Sequence, residues 1–266
     1  YIDVEVCVKK QSQIRVAACL LALSTLSFSS NAFYVPPTAE SQAASKLVHI
    51  QIKAKQGDTD AQFLLGLMYL SGRFVAQNTE SGLYWVSLAA TQDHVKAQQT
   101  LADLAFEGKL FPRNLALAEK WYLVMAEQGD KWANFRLGFI YSAGGDGVIR
   151  NCGKAMGQFN AAGDAISLGN VAWILATCPE AEYRDGSRAV SISLKLLEQN
   201  QNDPTVLDNL AAGYAEIGDF NSAIDAQKKA IEALKQNPEI ARSDEFIMRL
   251  KQYQNKQAYR EVIPLM

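Results

Sequence analysis

The chain carries the segment Asp60-Ala-Gln-Phe-Leu-Leu-Gly-Leu-Met-Tyr69, which is followed by Gly72. At an offset of about 36 residues, similar residues stand at matching positions in two further copies. The equivalent positions are Ala61, Ala97 and Ala133; Gly66, Ala102 and Gly138; Tyr69, Ala105 and Tyr141; and Gly72, Gly108 and Gly144. A fixed period of this length indicates a stack of similar units, none of which buries its own apolar face alone.

Within each copy the apolar residues recur at helical spacing, as in Phe63, Leu64, Leu67 and Met68. A glycine then stands where a helix should end. Each copy is therefore predicted to be a pair of antiparallel helices. The predicted fold class is all-α, a right-handed α-solenoid of stacked antiparallel helix pairs, with about twelve helices and no strand.

The repeated residues resemble the Sel-one-like repeat over residues 58–164. Besides the segment from Asp60 to Tyr69, the resemblance rests on Ala118-Glu-Lys-Trp-Tyr122 and Ala126-Glu-Gln-Gly-Asp130. A helix expected from about Thr38 to Gln56 looks like the second half of a truncated leading repeat. The Sel-one-like region is therefore placed at residues 38–164.

Beyond residue 165 the period shortens to about 34 residues, and the pattern resembles the tetratricopeptide repeat. The matching residues are Leu210, Ala211, Tyr214, Gly218, Phe220, Ala223, Ala230 and Pro238. The resemblance places tetratricopeptide repeats at residues 165–240. Their first copy is degenerate, because Pro179 lacks a backbone donor and ends a helix. Residues 241–266 are predicted to form a C-terminal capping helix.

Residues 1–32 are interpreted as upstream residues and a secretory signal peptide. The basic residues Lys9, Lys10 and Arg15 precede an uncharged run from Val16 to Phe28, and the small residues Ser30 and Ala32 suit a signal peptidase. The apolar run of roughly 13 residues is shorter than the ~20 that a spanning helix needs. We expect cleavage after Ala32, a mature chain that starts at Phe33 without membrane insertion, and a periplasmic or secreted location.

Composition excludes several kinds of site. A formal net charge of −2 and a pI of about 5.8 argue against nucleic acid as a partner. The two histidines and four scattered cysteines lack the paired spacing of a zinc site, so no metal and no cofactor are predicted.

Signal removal would leave Cys152 and Cys178 as the cysteines of the mature chain. Both are expected near helix ends in a compartment that permits disulfides, so they are a possible disulfide. Bridging requires Cα atoms about 4.4 to 6.8 Å apart. The half-turn between the cysteines could instead place them at opposite ends of a helix pair.

Catalysis is not predicted. His49 and His94 have no serine or cysteine in matching register, so a nucleophile with its base cannot be assigned. Gly144-Gly-Asp-Gly147 lacks the lysine and the preceding strand of a phosphate loop, and is interpreted as an interhelix turn.

One tryptophan stands apart from the others. Trp85, Trp121 and Trp173 occupy repeat-equivalent positions and are interpreted as core. Trp132 instead aligns with Asp60 and Lys96, so packing does not require its ring. Mapping the first helix of each pair onto the tetratricopeptide pattern gives a partner-binding strip along the concave face, which comprises Phe63, Leu67, Gln99, Asp103, Trp132, Phe135 and Phe139. In the alternative, cap helices or loops cover these rings.

Exposed apolar surface usually marks an interaction site, and aromatic side chains anchor interfaces. The sequence therefore favours an exported non-catalytic scaffold that binds a protein or peptide through its concave helical face. The resemblance implies the same, because bacterial proteins of this kind are commonly interaction scaffolds. The alternative is a cell-wall-associated hydrolase or a peptidoglycan-binding protein.

Overall fold

Twelve α-helices lie within residues 38–236, 238–239 and 241–265, which are the residues that the computed structural model describes. The helices are α1 (Ala39–Lys55), α2 (Thr59–Ser71), α3 (Thr79–Ala90), α4 (Val95–Glu107), α5 (Leu115–Glu127), α6 (Lys131–Ala143), α7 (Cys152–Ala162), α8 (Ala165–Thr177), α9 (Gly186–Leu197), α10 (Pro204–Glu216), α11 (Phe220–Gln236) and α12 (Ser243–Gln254). A short 3-10 helix covers Ala181–Tyr183, and no strand is present in these residues. The all-α prediction is confirmed.

Consecutive helices pack in pairs, and each pair packs on the next. Helix α2 lies against α3, α4 against α5, α6 against α7, α8 against α9 and α10 against α11. The second helix of each pair also contacts the first helix of the following pair, while α1 covers α2 and α12 covers α11. The predicted solenoid is therefore confirmed. These helices all belong to the unit Ala39–Met266, and the predicted signal peptide lies outside the described residues.

Side-chain caps fix where the helices begin. An Asp or Asn side chain accepts a backbone N–H in the first turn of α2, α3, α5, α6, α7, α8, α9 and α10. Each such cap stabilises its helix by about 1 kcal/mol. Asp58 and Asp130 cap α2 and α6, and His94 takes the equivalent position before α4, where its Nδ1 accepts the N–H of Ala97. The repeat therefore explains His94 as a helix cap.

The repeat glycines allow close contact between the helices of a pair. A Cβ added to Gly138 would lie 2.5 Å from the ring of Phe159, and one on Gly66 would lie 2.6 Å from Val86. Both distances are too short for a side chain, so α6 packs on α7, and α2 on α3, only because these positions carry hydrogen. Trp121 and Trp173 are buried in the core as predicted, and Trp85 is half-buried. The predicted repeat equivalence of Trp173 is wrong, because it lies on α8, the first helix of its pair, whereas Trp85 and Trp121 lie on second helices.

The C-terminal segment differs from the prediction, because it is helical only as far as Gln254. The helix ends at Asn255, and Lys256 adopts a positive φ of 56°, which interrupts the helical path. The chain then runs back to α8, where the N–H of Glu261 donates to the carbonyl of Thr177 at 3.0 Å. Residues 255–265 are called the tail below. Among the helices of the described residues, none is both long and apolar enough to span a bilayer.

Cys152 and Cys178 are joined by a disulfide, with their Cα atoms 6.6 Å apart. Cys152 begins α7 and Cys178 follows α8. Because these helices are antiparallel neighbours, the start of one lies beside the end of the other. The possible disulfide is therefore confirmed, and it joins the helix pair α6–α7 to the pair α8–α9.

Removal of this disulfide should destabilise the fold. The crosslink closes a loop with a sequence separation of 26 residues, so a Cys152→Ala/Cys178→Ala variant should lose about 2 to 4 kcal/mol of unfolding free energy. Urea denaturation of the oxidised protein and of the variant measures the difference. Dithiothreitol should shift the unfolding midpoint of the natural protein and leave that of the variant unchanged. Equal midpoints for the oxidised protein and the variant would contradict the expectation.

Candidate functional site

Trp132 lies in the first turn of α6 with its side chain open to solvent. The residue is 42% exposed, although its ring stacks on that of Phe135 with centroids 5.5 Å apart and planes inclined by 25°. Phe135 is half-buried beneath it. These two rings form an exposed aromatic pair, which is named the α6 pair below.

Phe139 does not belong to that surface, which corrects the prediction. It is only 4% exposed, because its ring meets the edges of Phe135 at 5.0 Å and of Phe159 at 5.2 Å. Phe159 lies on α7, which covers this end of the α6 face. Phe139 is therefore a core residue, and it supports Phe135 from below.

An arginine that the sequence analysis did not single out completes the α6 pair. The guanidinium of Arg136 lies 4.3 Å from the ring centroid of Trp132 and 4.6 Å from that of Phe106 on α4. Such cation–π contacts contribute about 0.5 to 2 kcal/mol. They hold Arg136 against Trp132 and connect α6 to α4, the first helix of the preceding pair. The sequence signal for this contact is the spacing of Trp132 and Arg136, because residues four apart on a helix are neighbours.

The remaining predicted site residues have local partners. The ring of Phe63 packs on His94 with centroids 4.7 Å apart, and Leu67 is half-buried against the core. Asp103 accepts the hydroxyl of Tyr122 at 2.5 Å, and burial together with this bond raises the pKa of Tyr122. Gln99 is exposed. Of the predicted strip, ring contacts bring together only Trp132, Phe135 and Phe139 in the described residues.

Further along the solenoid, α8 repeats the register of α6, with smaller residues at three of the four matched positions. Both helices have 13 residues and begin after a capping aspartate, Asp130 for α6 and Asp164 for α8. This register matches Ile166 with Trp132, Gly169 with Phe135, Asn170 with Arg136, and Trp173 with Phe139. Where α6 carries a phenylalanine ring, α8 therefore carries a glycine.

A cavity of about 540 Å³ opens beside Gly169. It is bounded by α8, the α9–α10 turn, α10, α12 and tail residues Glu261 and Ile263, and it is named the C-terminal cavity. Its volume falls within the range of about 300 to 1,000 Å³ that is typical of ligand pockets. No sequence pattern indicates this cavity, because its sides come from elements far apart in the chain.

A buried ion pair forms one side of this cavity. Arg249 of α12 contacts Asp208 of α10 through both Nη2 (2.8 Å) and Nε (3.0 Å), and Gln227 donates to the same carboxylate at 2.7 Å. Burial alone would lower the pKa of Arg249, but the facing carboxylate raises it above its ordinary value. Burial raises the pKa of Asp208 in spite of Arg249. The guanidinium also lies against the rings of Trp173, Phe246 and Tyr259.

A second carboxylate of the cavity has neutral partners. Glu261 Oε2 accepts the indole N–H of Trp173 at 3.0 Å, and Oε1 accepts the hydroxyl of Tyr259 at 3.1 Å. Burial raises the pKa of Glu261 above its ordinary value. In the described part of the chain, none of the ion pairs involves Glu261.

Comparison with known proteins shows what the repeats are similar to. A family model for the Sel1 repeat matches residues 59–94, 95–130 and 133–157. The crystal structure of a Sel1 repeat protein from Oxalobacter formigenes has 25% sequence identity with this chain and covers 71% of it and 79% of its own length, with a TM-score of 0.50. The crystal structure of c5321, a protective antigen present in uropathogenic Escherichia coli strains and displaying an SLR fold, has 25% identity over 74% of this chain and 44% of its own, with a TM-score of 0.47.

Proposed function

We propose that this chain, whose residues 59–157 are Sel1 repeats, is an exported, non-catalytic scaffold that binds a protein or peptide partner through its concave helical face. The resemblance stated from the sequence is confirmed for these repeats, which generally serve as protein-interaction scaffolds. The assignment of tetratricopeptide repeats to residues 165–240 stays a prediction.

The observation that carries the proposal is the α6 pair. Trp132 exposes a large ring to solvent. The equivalent positions in the other repeats carry Asp60 and Lys96, so packing of the repeat does not require an apolar residue there. Phe135 and Arg136 hold that ring in one orientation, so little conformational freedom is lost on binding. Tryptophan and arginine are the residue types enriched in the energetic centres of interfaces.

Two observations support export to a periplasmic or secreted location. The sequence of residues 9–32 has the order of a signal peptide, with basic, apolar and small-residue segments in turn. The disulfide between Cys152 and Cys178 belongs to an oxidising compartment.

The state of His94 supports a non-catalytic role. Its Nδ1 accepts the N–H of Ala97, and its Nε2 lies 3.0 Å from Asp60 Oδ1. Both ring nitrogens therefore serve the helix cap and its link to α2. A general base would need one of them free.

Trp132→Ala should separate binding from folding. Once the partner has been identified by co-purification from an envelope fraction, isothermal titration should show at least a tenfold loss of affinity, since an interface aromatic anchor commonly contributes about 2 kcal/mol or more. Far-ultraviolet circular dichroism should stay unchanged.

The matched control is Tyr84→Ala on α3, which removes an aromatic ring that is 60% exposed on the second helix of a pair. Its affinity for the partner should equal that of the natural protein. Full affinity in a folded Trp132→Ala variant would refute the assignment of the α6 pair.

A further inference from the structure

The C-terminal cavity has several large apolar residues in its lining. The larger apolar residues that line it come from five elements: Ile166 and Trp173 from α8, Leu196 from α9, Val206 from α10, Phe246 from α12 and Ile263 from the tail. Gly169 lines the cavity without a side chain, and a Cβ there would lie in van der Waals contact with Asn209, 3.5 Å away.

The charges that line the cavity are mostly negative. Four carboxylates and one guanidinium lie among its described lining residues, namely Asp203, Asp208, Glu245, Glu261 and Arg249. Asp208 holds Arg249 through two short contacts, so this guanidinium is already neutralised. An anionic ligand would therefore meet repulsion from the remaining carboxylates.

Those carboxylates lack strong cationic partners of their own. Asp203 accepts backbone N–H groups of α10, and Glu261 accepts only the neutral donors of Trp173 and Tyr259. Glu245 contacts the exposed Arg242 at 3.7 Å. Glu261 is half-buried without an ion pair, and keeping an unpaired carboxylate away from water is costly, so a cation brought by a ligand would offset that cost. Glu245 is exposed and would gain less.

We propose that the C-terminal cavity binds a basic side chain, an ammonium or guanidinium group on an apolar stem, presented by an extended segment of a partner protein. The stem packs against Ile166, Val206 and Ile263, and the cationic group pairs with Glu261 and Glu245. The assignment of the cation to a protein segment rests on the proposed function. The shared register of α6 and α8 supports it, because Ile166, which lines the cavity, occupies on α8 the position that Trp132 occupies on α6.

Fluorescence anisotropy with a labelled decapeptide of alternating lysine and leucine tests the proposal. The lysine peptide should bind, its acetyl-lysine version should bind at least tenfold more weakly, and a glutamate version should not bind. Glu261→Gln should weaken binding of the lysine peptide by about tenfold, because it removes a carboxylate from a partly desolvated charge pair. Glu245→Gln should weaken it by about two- to fivefold, because that carboxylate is exposed.

Glu182→Gln, the same change at an exposed carboxylate of the short 3-10 helix outside the cavity, is the matched control and should leave binding unchanged. Glu261→Gln could also weaken binding by releasing the tail, because Glu261 accepts the indole N–H of Trp173. Glu245→Gln controls for this effect, since Glu245 does not anchor the tail. Equal binding of the acetylated peptide, or unchanged binding by both cavity variants, would overturn the proposal.

Two further measurements test whether the cation belongs to a protein segment and whether the α6 pair contributes to binding. Free cadaverine at the concentration of the peptide should not displace it, and displacement at similar affinity would overturn the assignment to a protein segment. If Trp132→Ala weakens the peptide while both glutamine variants bind normally, the proposed function stands and the cavity site fails. The opposite result supports the cavity site and refutes the α6 pair as a site for this peptide.

Discussion

Arg249→Leu should lower the free energy of unfolding by about 3 to 5 kcal/mol, because it leaves the carboxylate of Asp208 buried without its partner. Arg249 and its partner Asp208 are each 4% exposed, so both of their contacts are shielded from solvent. Chemical denaturation of the variant and the natural protein, followed by circular dichroism, measures the loss.

The loss should shrink in acid. Burial already raises the pKa of Asp208, and removal of the guanidinium raises it further. The folded variant therefore binds a proton more readily than the unfolded chain does, so its stability increases as the pH falls through the raised pKa. The difference from the natural protein should accordingly be smaller near pH 4 than at pH 7.

Two comparison variants show whether the unpaired charge is the cause. Arg188→Leu makes the same change at an exposed arginine of α9 and should alter stability by about 0.5 kcal/mol or less. Asp208→Leu/Arg249→Leu removes both charges and should be more stable than Arg249→Leu alone. A double variant no more stable than Arg249→Leu would show that packing, rather than the buried charge, accounts for the result.

The solenoid was predictable because each repeat encodes it locally. Gly66 and Gly138 permit the close approach of paired helices, and Asp58, His94 and Asp130 cap the first helices at the repeat period. These signals lie within one helix pair and recur, so the alignment of the chain on itself exposes them. The helix pairs were therefore predicted correctly from sequence.

The candidate sites were less predictable because they depend on contacts between distant residues. Phe139 shares a helix face with Phe135, but Phe159 from α7 covers it, which the register of α6 alone does not reveal. The bond from Trp173 to Glu261 spans 88 residues, and the contact of Asp208 with Arg249 spans 41. No local pattern indicates such pairs, so the cavity that they border remained invisible in the sequence.

Trp121→Ala should lower the free energy of unfolding by about 3 to 5 kcal/mol, the usual cost of deleting a large aromatic side chain from a core. Trp121 lies on α5, is 6% exposed and belongs to the main apolar core between successive helix pairs. Its removal leaves a space that the rigid helices around it close only in part. Urea denaturation measures this loss.

Trp132→Ala deletes the same side-chain volume from α6, the first helix of the following pair, and serves as the internal comparison. Because that ring is 42% exposed, its removal mainly loses the stacking on Phe135 and the contact with Arg136, which together should contribute about 1 to 2 kcal/mol, less than the loss at Trp121. A solenoid transmits stability between neighbouring repeats, so damage at Trp121 should also lower the cooperativity of unfolding, whereas damage at Trp132 should not. Equal losses from the two variants would mean that Trp132 is part of the scaffold, and the α6 pair would then no longer qualify as a binding surface.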